Sequence, residues 1–295
     1  MPASPSRRAD RPALGIGMLL LALFLLAAMD AIAKHLTETL AVPQILAIRF
    51  WVFLLFALVL AQRSGFARTV RSARPGLQII RSLVMVAQMT AFIVAVSHMP
   101  LADVHAVVAV APLLVMVLAA IFLGEPIGPR RCAAVGFGFL GVLVIIRPGT
   151  GVFDPVSLVA LAGAGCWAVF QILLRVVGER DSAQTTTLFS AVVGVLCFSM
   201  AAPFVWQAPD PDAWVWLLAI GALGSIGHYL LSTAFQYAPA STLQPFAFSM
   251  PVWAALMGWA AFSHIPDAWT FAGGGMIVAS GLYALRRERA VAGVR

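Results

Sequence analysis

The chain alternates between long apolar stretches and short polar segments. Ten stretches run for about 20 residues each, the length that crosses the hydrocarbon core of a bilayer. None of them has the strict alternation of a β-strand, and a backbone inside lipid must satisfy its own hydrogen bonds, so each is predicted to be a helix. The predicted spans are residues 14–33, 43–62, 77–97, 101–123, 130–147, 155–175, 184–206, 213–236, 240–262 and 268–285.

The pattern of the first half returns in the second half. Three prolines have counterparts about 140 residues further on, namely Pro100 and Pro239, Pro112 and Pro251, and Pro126 and Pro266. We therefore expect a first five-helix repeat at 14–148 and a second at 149–285, between tails at 1–13 and 286–295. An odd number of spans per repeat makes the second copy enter the membrane from the opposite face, which predicts inverted repeats.

Composition and charge place this helical chain in a membrane. Hydrophobic residues make up 61% of the sequence and charged residues 11%, whereas soluble proteins have about 25% charged residues. Of the 19 Lys and Arg residues, all but Lys34, Arg49 and Arg147 fall on one side of the predicted topology, which puts both termini in the cytoplasm. The net charge of +7 therefore reflects topology, and the expected surroundings are a lipid bilayer without nucleic acid.

Several short motifs resemble the drug/metabolite transporter superfamily, EamA type. They are the PLAD and APL segments within 100–113, the LGEPIG turn at 123–128, the GxxGVLVIIRPG finish at 138–149 and the ILAIRF opening of the second span at 45–50. The similarity extends from Leu14 to Leu285 and is weaker in the second half, where Ser190 stands near the place of Arg49 and His264 near that of Glu125.

This resemblance implies a multi-pass carrier of the bacterial inner membrane with ten helices and two cytoplasmic termini. It also implies a central cavity lined by spans 1, 3, 4, 6, 8 and 9, with spans 5 and 10 at the periphery. Within the superfamily, the length and simple architecture resemble those of exporters of amino acids, including aromatic ones. The segment 95–148 also resembles importers of vitamins or S-adenosylmethionine.

Polar side chains inside the predicted spans are the candidates for substrate binding, because placing a charge at bilayer depth costs at least about 2.5 kcal/mol. These residues are Asp30, Arg49, Gln88, His105, Gln171, His228 and Gln244, with Lys34 at the outer end of the first span. Three pairs among them occupy equivalent places in the two repeats, namely Asp30 and Gln171, Gln88 and His228, and His105 and Gln244.

Each candidate has a structural and a functional interpretation. Asp30 and Lys34 lie one helical turn apart, and Arg49 is predicted at a similar depth. The three charges either form a structural ion pair that locks the first two spans or meet the charged head of a zwitterionic substrate, and Asp30 is also a candidate for exchanging a coupling proton. His105 and His228 either titrate near neutral pH or join helices by hydrogen bonds.

The glutamines and aromatic residues carry the same two alternatives. Gln88, Gln171 and Gln244 either join helices or bind substrate. Five aromatic residues either pack the bundle or form an apolar wall that stacks against substrate, namely Trp167, Tyr229, Phe246, Phe248 and Trp253.

Two prolines are candidates for mechanical hinges. Pro112 and Pro251 interrupt the fourth and ninth spans at equivalent places in the two repeats. A proline inside a span frees a backbone carbonyl and bends the helix. The bends are either static kinks or hinges of a carrier.

The sequence favours a secondary transporter over other membrane proteins. It has no GxxxxGK[ST] phosphate loop, no HExxH or GxSxG motif and no filter-like loop, so a pump, an enzyme and an ion channel are disfavoured. We predict alternating access to a small-molecule substrate, with export of amino acids as the first expectation. The alternatives are import of a vitamin or of an S-adenosylmethionine-like metabolite, and a channel-like facilitator. No cofactor or metal is expected, and the protein is expected to be a monomer or homodimer.

Overall fold

The computed structural model describes residues 12–123, 129–146, 155–238, 243, 246–247, 249–263 and 267–292. The described part is helical and contains no strand. Its helices are α1 (Pro12–Leu36), α2 (Val42–Ser64), α3 (Phe66–Val70), α4 (Pro75–His98), α5 (Leu101–Val108), α6 (Ala111–Leu123), α7 (Pro129–Ile146), α8 (Val156–Gly178), α9 (Ala183–Ala201), α10 (Pro211–Tyr237), α11 (Met250–Phe262) and α12 (Ala268–Ala292), with a 3-10 helix at Ala202–Val205.

Seven segments of the described chain are long and apolar enough to cross a membrane. They are Ala13–Leu36, Val42–Ser64, Pro75–His98, Asp103–Phe122, Val156–Gly178, Ala183–Val205 and Pro211–Tyr237. They correspond to predicted spans 1 to 4 and 6 to 8. Helices α7, α11 and α12 occupy the places of spans 5, 9 and 10 but are not among the seven, so ten spans and cytoplasmic termini stay predictions.

The helices pair in a pattern that relates the two halves of the chain. Helix α1 packs on α10, and α4 packs on α8. The predicted repeat exchanges α1 with α8 and α4 with α10, so a two-fold axis maps one of these pairs onto the other. Other contacts join equivalent helices, α2 with α9, α7 with α12 and α5 with α11, and the contacts of α2 with α10 and of α4 with α9 form a second exchanged pair. This arrangement is what a pseudo-two-fold relation between the repeats requires.

Small residues allow α7 and α12 to approach closely. A Cβ atom added to Gly141 would lie 2.6 Å from the carbonyl oxygen of Gly273 and 3.0 Å from the side chain of Ile277. Gly138 meets the side chains of Leu113 and Ser280 in the same way. The sequence leaves open whether the glycines of spans 5 and 10 form a dimer face or internal packing; at Gly138 and Gly141 they form internal packing.

Gly141→Ala is expected to destabilise the protein by about 1–3 kcal/mol, because the new methyl group meets a backbone oxygen that cannot move aside cheaply. The melting temperature in detergent should therefore fall. Gly136→Ala is the matched control on the same helix, since nothing lies within 4 Å of its added Cβ atom. Equal melting temperatures for the two variants would contradict the close approach.

Two helices are interrupted at the predicted hinge positions. Between α5 and α6 the backbone turns at Ala109 and Val110, and Pro112 is the second residue of α6. In the second half, Ser249 precedes α11, and Pro251 is in its first turn. A proline is well tolerated in the first turn of a helix, where its missing N–H has no partner to lose. Both prolines therefore start a new helical segment, and the role of these breaks as hinges stays a prediction.

Candidate functional site

A cavity lies between the two halves of the bundle and contains about 760 Å³ of space, including the part that opens to solvent. Its wall comes from α1, α2, α4, α5, α6, α8 and α10, together with Ala247, which precedes α11, and Met250, the first residue of α11. These helices include all six spans that the resemblance implies. The structure adds span 2, through Arg49.

Six of the ten predicted binding residues line this cavity. They are Asp30, Arg49, Gln88, His105, Trp167 and His228. Lys34, Gln171 and Tyr229 are not part of its wall, and Gln244 lies outside the described residues. Tyr229 instead packs edge-on against Phe56 and accepts a hydrogen bond from Gln184 at 3.4 Å, on the side of α2 and α9.

Asp30 and His105 form a buried acid–imidazole pair. Asp30 Oδ2 lies 3.2 Å from His105 Nε2, and the two residues are 5% and 3% exposed. The ring of Phe92 stands edge-on to the His105 imidazole, with the ring centres 5.0 Å apart. The pair therefore joins α1 to the short helix α5 directly at the cavity wall.

The predicted pairing of Asp30 with Lys34 is wrong. The ammonium group of Lys34 donates to the carbonyl oxygens of Val96 at 2.8 Å and Met99 at 2.9 Å, at the end of α4. Unpaired carbonyls at a helix C-terminus attract a cation, and this contact holds the lysine away from the carboxylate one turn earlier. Lys34 therefore fastens α1 to α4.

Arg49 and His228 form a second buried pair in the same wall. Arg49 Nη2 donates to His228 Nε2 at 3.2 Å, and Arg49 is only 4% exposed. The rings of Phe53 and Trp167 flank the imidazole. Within the described residues, Arg49 has no carboxylate at ion-pair distance, so its buried positive charge lacks a direct counter-ion.

A glycine of α10 leaves room for this guanidinium. A Cβ atom added to Gly224 would lie 3.0 Å from Arg49 Nε and 2.9 Å from the sulfur of Met29. Nothing in the sequence predicts a role for Gly224 in the site. A glycine in a span is a common packing residue, and only the position of the arginine in space shows what this one accommodates.

Most of the apolar wall is not apparent from the sequence. Of the predicted aromatic wall residues that the structure describes, Trp167 lines the cavity and stacks on Phe170 with the ring centres 5.3 Å apart. Phe246 and Trp253 pack against the hydrophobic core, and Phe248 lies outside the described residues. The other apolar residues of the wall include Met29, Met89, Phe92, Ile93 and Met250. Apolar side chains are ordinary in a span, so nothing in the sequence distinguishes those that face a cavity.

A polar network at the start of α4 joins the two halves away from the cavity. Arg81 is fully buried and donates to Gln78 Oε1, Ser82 Oγ, Ser190 Oγ and the Thr186 carbonyl at 2.8–3.1 Å. From its place in the sequence, Arg81 is predicted to be one of the loop charges that set topology. The structure corrects this interpretation, because the guanidinium is enclosed by hydrogen-bond acceptors inside the bundle.

Asp181 completes this network from the loop between α8 and α9. Its carboxylate accepts hydrogen bonds from Ser72 Oγ, from the Ala73 backbone N–H at 2.8 Å and from Gln78 Nε2 at 2.8 Å. The aspartate belongs to the second half of the chain, and its three donors belong to the first half. The network therefore ties the two repeats together.

Comparison with solved structures supports this architecture. One crystal structure aligns with the chain at a TM-score of 0.69 and 19% sequence identity, covering 95% of this chain and 99% of the other. At this identity the similarity shows a shared fold.

Three bacterial relatives show similarity over most of the chain. The riboflavin transporter of Brucella anthropi is 28% identical, covering 84% of this chain and 89% of the relative. The S-adenosylmethionine uptake transporter of Rickettsia felis is 26% identical, with 93% of both chains covered. The pseudopaline exporter CntI of Pseudomonas aeruginosa is 27% identical, covering 93% of this chain and 97% of the relative.

A family model matches the chain twice. The EamA-like transporter family matches residues 13–147 and again residues 155–286, so the chain contains two EamA repeats. Seven apolar helices and bacterial relatives identify a multi-pass protein of the bacterial inner membrane that transports a small molecule. The chain belongs to the EamA-like transporter family.

Proposed function

We propose that this transporter is a secondary carrier of small zwitterionic metabolites, with apolar and aromatic amino acids as its simplest substrates. The observation that carries the proposal is the buried guanidinium of Arg49, which has no carboxylate partner within the described chain. A buried charge is costly unless it is paired. A substrate carboxylate supplies the partner and matches the two-pronged geometry of a guanidinium.

The rest of the wall suits the other parts of such a substrate. The Asp30–His105 pair offers a carboxylate to a substrate ammonium group. Trp167 and Phe92 offer aromatic faces and edges, and Met29 and Met89 offer adaptable apolar surface. Flat aromatic groups pack well against such surfaces, which supports the predicted preference for aromatic amino acids.

Counterflow in proteoliposomes tests this function. Vesicles of purified protein are loaded with unlabelled L-tryptophan, and the entry of labelled L-tryptophan is followed. Exchange that is faster than in protein-free vesicles supports a carrier, and parallel vesicles with S-adenosylmethionine and riboflavin define the substrate class. Exchange of riboflavin without exchange of either zwitterion would overturn the proposal.

Uptake of a vitamin or of an S-adenosylmethionine-like metabolite is the second candidate. It is favoured by the relatives named as riboflavin and S-adenosylmethionine uptake transporters. S-adenosylmethionine carries an amino-acid head group, so the same charged pairs suit it, whereas riboflavin has neither an ammonium group nor a carboxylate. The exporter among the relatives is compatible with the export direction that we predict for amino acids.

Alternating access is the proposed mechanism, with inverted halves that rock about the cavity. The breaks before α6 and α11 support it, since Ala109, Ala111, Ala247 and Met250 beside these breaks line the cavity. Interrupted helices at the substrate site are typical of carriers built from repeats. A change in cavity shape can therefore be absorbed where the backbone is already discontinuous.

Pro112→Ala and Pro251→Ala are expected to slow exchange by about tenfold while leaving substrate affinity nearly unchanged, because alanine lets the helix continue through the break and stiffens it. Equilibrium binding and counterflow rates separate the two effects. Pro211→Ala, in the first turn of α10, is the matched control away from a break. Unchanged rates in both variants would count against a hinge.

A further inference from the structure

Two charged pairs line one cavity, and they differ in what they can bind. Arg49 and His228 join a guanidinium to an imidazole, and Asp30 and His105 join a carboxylate to an imidazole. An acid–imidazole pair can hold one additional proton between its oxygen and its nitrogen. Building on the proposed function, we infer that Asp30 and His105 form a proton-exchange site at which substrate and proton bind alternately.

The charges around the pair favour this alternation. Arg49 of α2 supplies a positive charge to the cavity, and His228 of α10 accepts its hydrogen bond with a neutral ring nitrogen. Lys34, one turn further along α1, is held by carbonyl groups of α4. The parts of α4, α6, α8 and α11 that line the wall contribute only uncharged side chains, Gln88 and Trp167 among them.

The cavity has two states, which differ in net charge by the additional proton on the Asp30–His105 pair. Without the additional proton, the negative charge of Asp30 and the positive charge of Arg49 sum to zero, and a zwitterion can bind with both of its charges paired. With the proton on the pair, Asp30 is already neutralised, and a substrate ammonium group would bring a second cation into a buried site. The ammonium group and the proton therefore compete for the same carboxylate.

The position of His105 connects this site to the broken helix. His105 is in the last turn of α5, and its carbonyl accepts the backbone N–H of Ala109 at 2.9 Å, immediately before the break. Its side chain contacts Asp30 on α1 across the cavity wall. A change in the pair therefore acts on the discontinuous segment of the fold.

Alternate binding produces exchange of one substrate for one proton. The proton leaves the pair for the compartment from which the substrate enters, and the ammonium group then donates to the freed carboxylate. After the cavity opens to the other side, the substrate leaves and a proton from that side returns to the pair. An inward proton gradient would thus drive export.

Proton release on ligand binding tests the inference in the full-length protein. Purified protein in lipid nanodiscs, in weakly buffered solution with a pH dye, is mixed with L-tryptophan. We expect release of about one proton per bound ligand at pH values where the pair is protonated, and affinity that rises with pH. Indole-3-propionate has the same ring and carboxylate but no ammonium group, and its binding should release no proton.

Variants of Asp30 test whether the released proton comes from the Asp30–His105 pair. Asp30→Asn should abolish it, and Asp30→Glu should retain it by restoring the carboxylate. Glu38→Gln is the matched control, since Glu38 also lies beside a histidine, His35 at 3.5 Å, but both side chains are more than half exposed at the end of α1. Release that persists in Asp30→Asn, or that is equal for the two ligands, would overturn the inference.

Different results would overturn the proton-exchange site and the zwitterion carrier. Binding of L-tryptophan without proton release would overturn proton exchange and leave the zwitterion carrier standing. Absence of L-tryptophan binding to the wild-type protein would overturn the proposed amino-acid site itself. If Asp30→Asn does not fold, the ligand comparison on the wild-type protein and on Asp30→Glu still decides the matter.

Discussion

Replacing Arg49 by glutamine is expected to weaken the binding of L-tryptophan by about 100-fold, because a charge-assisted bond to a buried guanidinium contributes about 2–3 kcal/mol. Glutamine fills much of the same space and remains polar, so the effect reports the lost charge. Equilibrium binding in nanodiscs measures it. A variant that binds L-tryptophan with unchanged affinity would remove Arg49 from the substrate site.

The stability of the Arg49→Gln variant distinguishes a structural from a substrate-binding role of Arg49. A structural ion pair would lower stability when it is broken, whereas a cation that awaits its ligand should leave stability unchanged or higher when removed. Arg81→Gln is the contrasting variant, since among the described residues Arg81 donates to four acceptors and Arg49 to His228 alone. We expect a lower melting temperature for Arg81→Gln alone.

Much of the fold follows from the hydrophobic pattern. Predicted spans 2 and 6, at 43–62 and 155–175, fall on α2 and α8, because an apolar stretch in lipid must form a helix. The pattern does not determine which helices touch. The pairing of α1 with α10 and of α7 with α12 depends on side-chain fit, such as the clearance at Gly141, and a single sequence does not encode that fit in a readable form.

The sequence predicts which residues belong to the candidate site better than it predicts which of these residues contact each other. Six of the polar and aromatic candidates line the cavity, and their role in substrate binding stays a prediction. An ionisable side chain in a span needs a reason to be there, but the sequence does not show which residue is its partner. Helical spacing suggested Asp30 with Lys34, yet the rotation of α1 turns Asp30 towards His105 and leaves Lys34 at the end of α4.

The hydrogen-bond partners of Arg81 are a second feature that the sequence does not reveal. Arg81 stands four residues inside predicted span 77–97, and the excess of basic residues nearby makes it resemble a cytoplasmic loop charge. Its acceptors come from Thr186 and Ser190, more than 100 residues away. Such a partnership depends on the tertiary fold, and the energy of satisfying a buried guanidinium in turn favours that fold.

Asp181→Ala is expected to lower the free energy of unfolding by about 1–3 kcal/mol, since it removes a buried carboxylate that accepts hydrogen bonds from Ser72, Ala73 and Gln78. Thermal unfolding in detergent measures the loss. Glu179→Ala, an exposed carboxylate two residues earlier, is the matched control and should melt like the wild-type protein. Equal stability of the two variants would mean that the network does not hold the repeats together. A selective loss of stability for Asp181→Ala would identify these hydrogen bonds as a stabilising contact between the two repeats.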